Sequence, residues 1–296
     1  MKAILRACAV LPALALVSAC EVTLDSQGHT VHEEKRFTVS GTPDVRLTTF
    51  DGSIEVRSWE KAEVLVEIEK RGPTEEAIAR LEVTSMQDGN RVEVEVKKPQ
   101  GDMVFFGFGR YSPSARLVVT LPQRSNVVAR SGDGSIRAGH VRGRLELRSG
   151  DGSIHATDVS GDLTLHTGDG SITLDDAEGR LDLETGDGGV NVAGRFGAVK
   201  LHTGDGSIVF RAESGTAMTD DWSVTTGDGG VTMYLPEDFA AELDAHTGDG
   251  GIRNDLKLAT GSEGEVSRRS VRGRLGAGGK ALRIRTGDGS IRLRVS

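Results

Sequence analysis

The sequence predicts an all-β protein, a single-stranded β-solenoid built from two-strand coils of about 18 residues. Three observations carry this prediction. A hexapeptide, Ser/Thr-Gly-Asp-Gly-Ser/Gly-Ile/Val, recurs along the chain; apolar and polar residues alternate on both sides of it; and 40 glycines interrupt a sequence with little helical periodicity. Coils of this kind stack with neighbouring strands about 4.8 Å apart.

The repeat interval is constant through the middle of the chain. The first five aspartates of the complete hexapeptides are 18 residues apart, and the later steps are 23, 21 and 39 residues. They are Asp133, Asp151, Asp169, Asp187, Asp205, Asp228, Asp249 and Asp288, with a degenerate ninth copy at Asp51. A meander of hairpins also alternates, but it does not require one turn at one interval. We therefore favour the solenoid, with the Asp288 copy in its last coil.

The apolar positions indicate which side of each strand is buried. They stand six and four residues before each aspartate and three and five residues after it, with charged residues between them. Examples are Leu145, Leu147, Leu163, Leu165, Leu181, Leu183, Ile136, Ile154 and Ile172. A second turn, as at Val141-Arg142-Gly143, closes each unit. Period-two alternation on both sides of a turn predicts two strands that share one interior.

Two segments interrupt the predicted solenoid domain, residues 37–296. Residues 60–114 begin with a strand around Val64, continue with a short helix N-capped by Thr74, and form a hairpin at Asp88-Gly89-Asn90. We interpret them as an insertion that caps the first coil, since solenoid ends need covering. Residues 256–280 lack a hexapeptide and read as a loop insertion.

An aromatic cluster lies inside the first interruption. Phe105, Phe106, Phe108 and Tyr111 stand among glycines, serines and a proline. One interpretation is a hydrophobic lid over the end of the solenoid. The other is an exposed contact for a partner or a lipid.

The N-terminus predicts export and lipid attachment. Lys2 and Arg6 precede an apolar run too short to span a bilayer, which suits a signal peptide. The run ends in Val17-Ser18-Ala19-Cys20, which resembles a bacterial lipobox. We expect removal of residues 1–19, acylation of Cys20 by diacylglycerol and palmitate, and a polar tether over residues 20–36.

Cysteine content and charge restrict the partners. Cys8 and Cys20 are the only cysteines, so the mature chain has no disulfide and no thiolate zinc site. A net charge of −8 argues against nucleic acid as a partner. We expect the membrane, reached through the lipid, and an envelope protein or polysaccharide. The predicted location is the outer membrane or periplasm in a two-membrane host, and otherwise the cell surface.

The repeated aspartates are candidate calcium ligands, chiefly Asp133, Asp151, Asp169, Asp187 and Asp205. Glycine- and aspartate-rich nonapeptide repeats that bind calcium also form 18-residue coils, but they supply ligands from both turns. One carboxylate per coil falls short of the six to eight oxygens that calcium requires. We expect the hydroxyl two residues before each aspartate, together with amides of the turn, to donate hydrogen bonds to the carboxylate instead.

A second candidate metal set is His166, Glu184 and His202. These residues occupy the same outward position on successive predicted coils, three before the aspartate. Two imidazoles and a carboxylate can bind a transition metal, although an exposed stripe of alternating charge is the simpler interpretation. We therefore predict no metal site and no cofactor.

Catalytic motifs are missing from the sequence: it has no nucleophile elbow, phosphate-binding loop or zinc-hydrolase helix motif. The main interpretation is consequently non-enzymatic, with no catalytic residues. A calcium-stabilised surface repeat protein is one alternative. A carbohydrate-active β-helix enzyme is the other, although the array at 127–210 is too regular to build the cleft of such an enzyme.

The chain resembles the bacterial "putative adhesin" domain family, exported β-strand-repeat proteins without assigned biochemistry. The Gly-Asp-Gly-Ser-Ile copies carry the resemblance, together with Leu-Val-Val-Thr-Leu-Pro at 117–122, Tyr-Leu-Pro at 234–236 and the final copy at 286–291. It covers about residues 35–296. The family name implies a surface role, so we expect an envelope-anchored scaffold or adhesin-like binding module.

Overall fold

The computed structural model describes residues 21–25, 28–97, 113–259 and 267–296. The N-terminal elements are β1 Glu21–Asp25, β2 Gly28–Thr38, β3 Asp44–Thr49, β4 Ile54–Trp59, β5 Glu63–Gly72, α1 Glu75–Ala79, β6 Glu82–Asp88 and β7 Arg91–Lys97. The next are β8 Ser114–Pro122, β9 Asn126–Ser131, β10 Ile136–Gly139, β11 Arg142–Ser149, β12 Ile154–Thr167, β13 Ile172–Thr185 and β14 Val190–Thr203. The last are β15 Ile208–Ala212, β16 Trp222–Thr226, β17 Val231–Leu235, β18 Ala241–Thr247, β19 Ile252–Asn254, β20 Ser270–Leu275, β21 Ala281–Thr286 and β22 Ile291–Val295.

The strands form a flattened solenoid with two faces. We call the strands that precede the aspartate turns the upstream face. It runs β6–β7–β3–β9–β11, continues through the C-terminal halves of β12, β13 and β14, and finishes β16–β21–β18–β20. The downstream face follows the turns. It runs β1–β2–β5–β8–β4–β10, continues through the N-terminal halves of β12, β13 and β14, and finishes β15–β17–β22–β19.

The pairing confirms the predicted solenoid. Neighbouring strands of the coils are parallel and in register, so that Leu147, Leu165, Leu183 and Leu201 form one row. All four are buried, as the alternation predicted. Ile252 is only half-buried because its coil lies at one end of the stack. Identical residue types therefore repeat through a single interior.

Antiparallel strands close both ends of the stack. The strand, helix and hairpin predicted near the N-terminal end are confirmed as β5, α1 and the β6–β7 pair. Thr74 caps the helix by accepting a hydrogen bond of 3.1 Å from the Ala77 amide. At the other end β20 pairs antiparallel with β18. Since antiparallel edges do not continue the parallel register, the stack stops there.

The order of the coils in space differs from their order in the chain. The first coil, β3–β4, lies between the later β7–β8 layer and the β9–β10 coil. The coil β21–β22 likewise lies between β16–β17 and β18–β19. The prediction that the Asp288 copy marks the last coil is therefore wrong: the Asp249 coil lies outside it.

The predicted tether, residues 20–36, is wrong over its second half. Residues 28–38 form β2, which pairs antiparallel with β5 over residues 29–38. The sequence conceals this strand because its inward positions include charged residues. Glu33 accepts a hydrogen bond of 2.5 Å from Lys70, whose side chain is itself nearly buried. An ion pair thus takes the place of an apolar pair beyond the last complete coil.

The predicted loop insertion, residues 256–280, is also corrected. It contains β20, and Leu258 forms an antiparallel bridge with Leu275. No helix in the described residues has the length and apolar character needed to cross a membrane. Cys20 and the aromatic cluster Phe105, Phe106, Phe108 and Tyr111 lie outside the described residues, so their predicted roles remain predictions.

Candidate functional site

The nine aspartate turns stack into one edge of the solenoid, which we call the aspartate edge. Its spatial order is Asp51, Asp133, Asp151, Asp169, Asp187, Asp205, Asp228, Asp288 and Asp249. All are exposed except Asp51, which is half-buried. The edge therefore presents like charges to solvent at intervals of about 4.8 Å.

Glycines allow the turns of this edge to stack. The amide of Gly168 donates a hydrogen bond of 2.6 Å to the Gly150 carbonyl, and the Gly186 amide donates one of 2.7 Å to Gly168. A Cβ at Gly170 would lie 2.3 Å from the Gly152 carbonyl oxygen, well inside contact distance. The recurring glycines are therefore required by close backbone approach between coils.

The hydroxyls before the aspartates do not donate hydrogen bonds to the aspartate carboxylates, contrary to the prediction. Thr185 donates to the Gly170 carbonyl of the neighbouring coil at 3.0 Å. Thr203 makes the same bond to Gly188 at 3.2 Å and accepts one of 3.2 Å from the Gly206 amide. These hydroxyls are buried, whereas the carboxylates point to solvent. They satisfy backbone groups that the tight turns would otherwise leave unpaired.

Electrostatics along the edge change at its ends. Burial raises the pKa of Asp51, and the neighbouring charge of Asp133 raises it further. At the other end an Arg269 guanidinium nitrogen lies 3.6 Å from an Asp249 carboxylate oxygen.

Within the described residues no group of three or more His, Cys, Asp or Glu side chains has the spacing to hold a metal ion.

The second candidate set is adjacent in space, as predicted. His166, Glu184 and His202 occupy consecutive register positions on the upstream face. A His166 ring nitrogen lies 3.6 Å from a Glu184 carboxylate oxygen, and these side chains are largely exposed. The row continues with Arg148 on one side. Alternating charge accounts for the row without a metal.

The opposite turns form a second edge with different chemistry. His140 and Asp158 both have a positive φ, and the His140 ring lies 2.6 Å from the Asp158 carboxylate. Arg142 donates to the same carboxylate at 2.5 Å. The hydrogen bond with His140 and the Arg142 charge lower the pKa of Asp158. Further along, Arg195 bridges Glu178 and Glu213.

The outward positions of the last coils were not singled out in the sequence. Arg292 and Arg294 lie on β22 and alternate with its buried residues. Tyr234, on the neighbouring strand β17, pairs with Arg294. The signal was present as Arg-Leu-Arg immediately after the Asp288 turn. The sequence prediction used only the apolar positions of this strand and therefore did not include the two arginines between them.

Together these features define a β-solenoid of glycine–aspartate coils with polar outer faces. The chain belongs to the Toastrack DUF4097 family, whose model matches residues 43–294. The predicted membership of a β-strand-repeat family is thereby confirmed. No curated protein matches the chain.

The solved structures to which the chain is similar are distant in sequence. A "putative adhesin" from Parabacteroides merdae is 10% identical, with a TM-score of 0.42, and the match covers 88% of this chain and 95% of that one. A "putative cell adhesion protein" from Clostridium sporogenes is 12% identical, with a TM-score of 0.27 and coverage of 90% and 100%. A "putative lipid binding protein" from Parabacteroides distasonis is 11% identical, with a TM-score of 0.34 and coverage of 88% and 96%.

Proposed function

We propose that the chain is a non-enzymatic binding module of the cell envelope, anchored to a membrane by a lipid on Cys20. The observation that carries this proposal is the division of labour within each coil. The glycines and hydroxyls of the hexapeptide bond neighbouring backbones. Chemical variety is left to the outward rows, which stand on a rigid array of parallel strands. Solenoids use such extended surfaces for binding.

The membrane attachment in this proposal rests on the sequence around Cys20. Cys20→Ala removes the one thiol that a lipoprotein pathway would acylate. We expect the wild-type protein to incorporate palmitate and to stay in the membrane fraction after an alkaline wash. The variant should lose the label and leave the membrane fraction. A washed membrane fraction that retains the variant would contradict the anchor.

The binding function needs a separate test that does not depend on the anchor. A photo-crosslinking amino acid at Ser223 samples the upstream face, and one at Thr232 samples the downstream face, because both positions lie on outward rows. We expect at least one face to crosslink to an envelope component in living cells. A crosslinker at buried Val224 is the matched control and should give no product. Equal yields at buried and outward positions would contradict specific binding.

A further inference from the structure

A group of arginines lies on the downstream face of the last coils. We call it the arginine face: Arg211 on β15, Tyr234 on β17, Arg292 and Arg294 on β22, and Arg253 on β19. The pairing places Arg211, Tyr234 and Arg294 in one row across the strands. Arg292 and Arg253 are neighbours in the adjacent row. Arg211, Tyr234 and Arg292 alternate with buried residues, and Arg253 and Arg294 are exposed at the equivalent positions, so all five side chains point outward.

Most of this positive charge lacks an acidic partner. Among the described residues, Arg292 and Arg294 have neither an ion pair nor a side-chain hydrogen bond, and both are exposed. The Arg211 guanidinium lies over the Tyr234 ring, 4.3 Å from its centroid. Arg253 lies 3.6 Å from Asp255, which is the one carboxylate among the described residues that forms an ion pair with the group.

The other end of the same face behaves differently. There two arginines of β4 and β8 are paired: the exposed Arg57 with Glu55, and the half-buried Arg116 with Glu55 at 2.7 Å. Charge is therefore neutralised within the sheet at one end and left available at the other, on a chain whose net charge is −8. An unneutralised cationic surface on an acidic protein attracts an anionic ligand locally while the remainder of the protein repels it.

The chemistry and shape of the face indicate the class of ligand. Guanidinium groups bind carboxylate, phosphate or sulfate through two parallel hydrogen bonds. Adjacent strands space these groups about 4.8 Å apart, and alternate residues of a strand space them about 6.6 Å apart. Val209 is the one large apolar side chain that is exposed on these strands apart from the terminal Val295, so the face lacks the apolar centre of a stable protein interface. An extended chain with repeated charges fits better.

We propose that the arginine face binds an acidic polysaccharide. The charged groups of successive sugars meet Arg292, Arg294 and Arg211, and the Tyr234 ring beneath Arg211 supports that guanidinium. This inference rests on the proposed binding function and names its ligand class and its site. The aspartate edge is negatively charged, as the ligand is, and therefore repels the ligand from the neighbouring turns.

The test uses the full-length protein in detergent, with polygalacturonate as the probe and neutral dextran as the uncharged comparison. Binding is measured by affinity gel electrophoresis and calorimetry. We compare Arg292→Glu/Arg294→Glu with Arg137→Glu/Arg144→Glu, which alters the net charge equally at exposed arginines away from the arginine face. We expect the wild type and the control to bind the polyanion but not dextran. The first variant should bind at least about tenfold more weakly, and binding should weaken with salt.

Each other outcome has a defined meaning. No binding by the wild type, or equal losses in both variants, would overturn the arginine face as the site. If Arg292→Glu/Arg294→Glu instead abolishes self-association in sedimentation experiments without affecting polyanion binding, the face serves a second copy of the chain, and the inference is overturned. Arg292→Gln/Arg294→Gln and thermal melting separate a binding defect from misfolding. New reducing ends in polygalacturonate would instead contradict the non-enzymatic function itself.

Discussion

The two edges of the solenoid reverse the chain with different chemistry. At the aspartate edge, backbone amides and carbonyls of adjacent coils bond directly, as between Gly168 and Gly150. At the second edge the backbones of adjacent coils also pair, as between Gly161 and Gly179, and side chains add further contacts, as in those of Asp158 with His140 and Arg142. The first edge therefore repeats one motif in eight complete copies and one degenerate copy, whereas the second edge repeats a glycine, as at Gly143, Gly161 and Gly179, and otherwise varies from coil to coil.

This difference predicts where substitutions are tolerated. Backbone stacking depends on the absence of a side chain, so it has little tolerance for added atoms but is indifferent to salt. Ion pairs at an exposed edge tolerate changes in shape, and each contributes under about 1 kcal/mol. We expect the two edges to respond to different perturbations, in decreasing order of size as follows.

The largest effect is expected from adding a methyl group at the aspartate edge. A Cβ at Gly188 would lie 2.0 Å from the Gly170 carbonyl oxygen, whereas one at the next residue, Gly189, would come no nearer than 3.8 Å to Ser207. Gly188→Ala should lower the free energy of unfolding by about 3 kcal/mol. Gly189→Ala should change it by less than about 0.5 kcal/mol, because other coils carry serine there. Similar denaturation midpoints for the two variants would contradict the backbone ladder.

A smaller effect is expected from removing one hydroxyl. Thr185→Val keeps the shape of the side chain but deprives the Gly170 carbonyl of its hydroxyl donor. The free energy of unfolding should fall by about 1–3 kcal/mol, the cost of an unsatisfied buried polar group. Thr185→Ser is the control, since serine occupies this position at Ser131 and Ser149. Urea denaturation of the three proteins distinguishes these cases, and a stable valine variant would show that the hydroxyl is dispensable.

The charged residues should give effects below about 1 kcal/mol, with opposite signs at the two edges. The pKa of Asp51 is raised in the folded protein, so its ionisation opposes folding above that pKa. Asp51→Asn should raise the Tm at pH 7, and the difference should vanish near pH 3. The pKa of Asp158 is lowered, so its ionisation stabilises the fold above the unfolded value of about 3.9.

Asp158→Asn should consequently lower the Tm at pH 7, and the difference should shrink as the pH falls through the folded pKa. Thermal melts of both variants from pH 2 to pH 8, at low and high salt, measure the two signs. A Tm difference of the same sign at both positions would contradict the electrostatic distinction between the edges.

Calcium chelation should have the smallest effect. Because each coil offers one exposed aspartate, EGTA should leave the Tm within a degree or two. A bound ion would add RT ln(1 + [L]/Kd), about 2.7 kcal/mol at a hundredfold excess over Kd. A large rise in Tm with calcium, lost in Asp169→Asn, would restore the calcium-stabilised alternative.

The comparison of edges also explains what the sequence could predict. The aspartate edge depends on residue identity at each coil, so its period and the buried rows beside it could be read directly. Strand β2 was not predicted because Glu33 and Lys70 form an ion pair where an apolar pair would have marked a strand, at the N-terminal end of the stack. The hydroxyl contacts were assigned to the wrong acceptor because the residues nearest in sequence are the aspartates, whereas the acceptors belong to the next coil. The arginine face requires the strand order, which the sequence does not show.

The exchanged order of the end coils has a consequence for synthesis. The ribosome completes residues 241–275 before residues 281–295, yet β18 and β19 bond to β21 and β22 rather than to an earlier coil. The growing chain can therefore build the stack only as far as β16 and β17, because the strands with which β18 and β19 pair have not yet been made. We expect closure of this end to be a late folding step, because β21 and β22 must pair with β16 and β17 before β18 and β19 can pair with them.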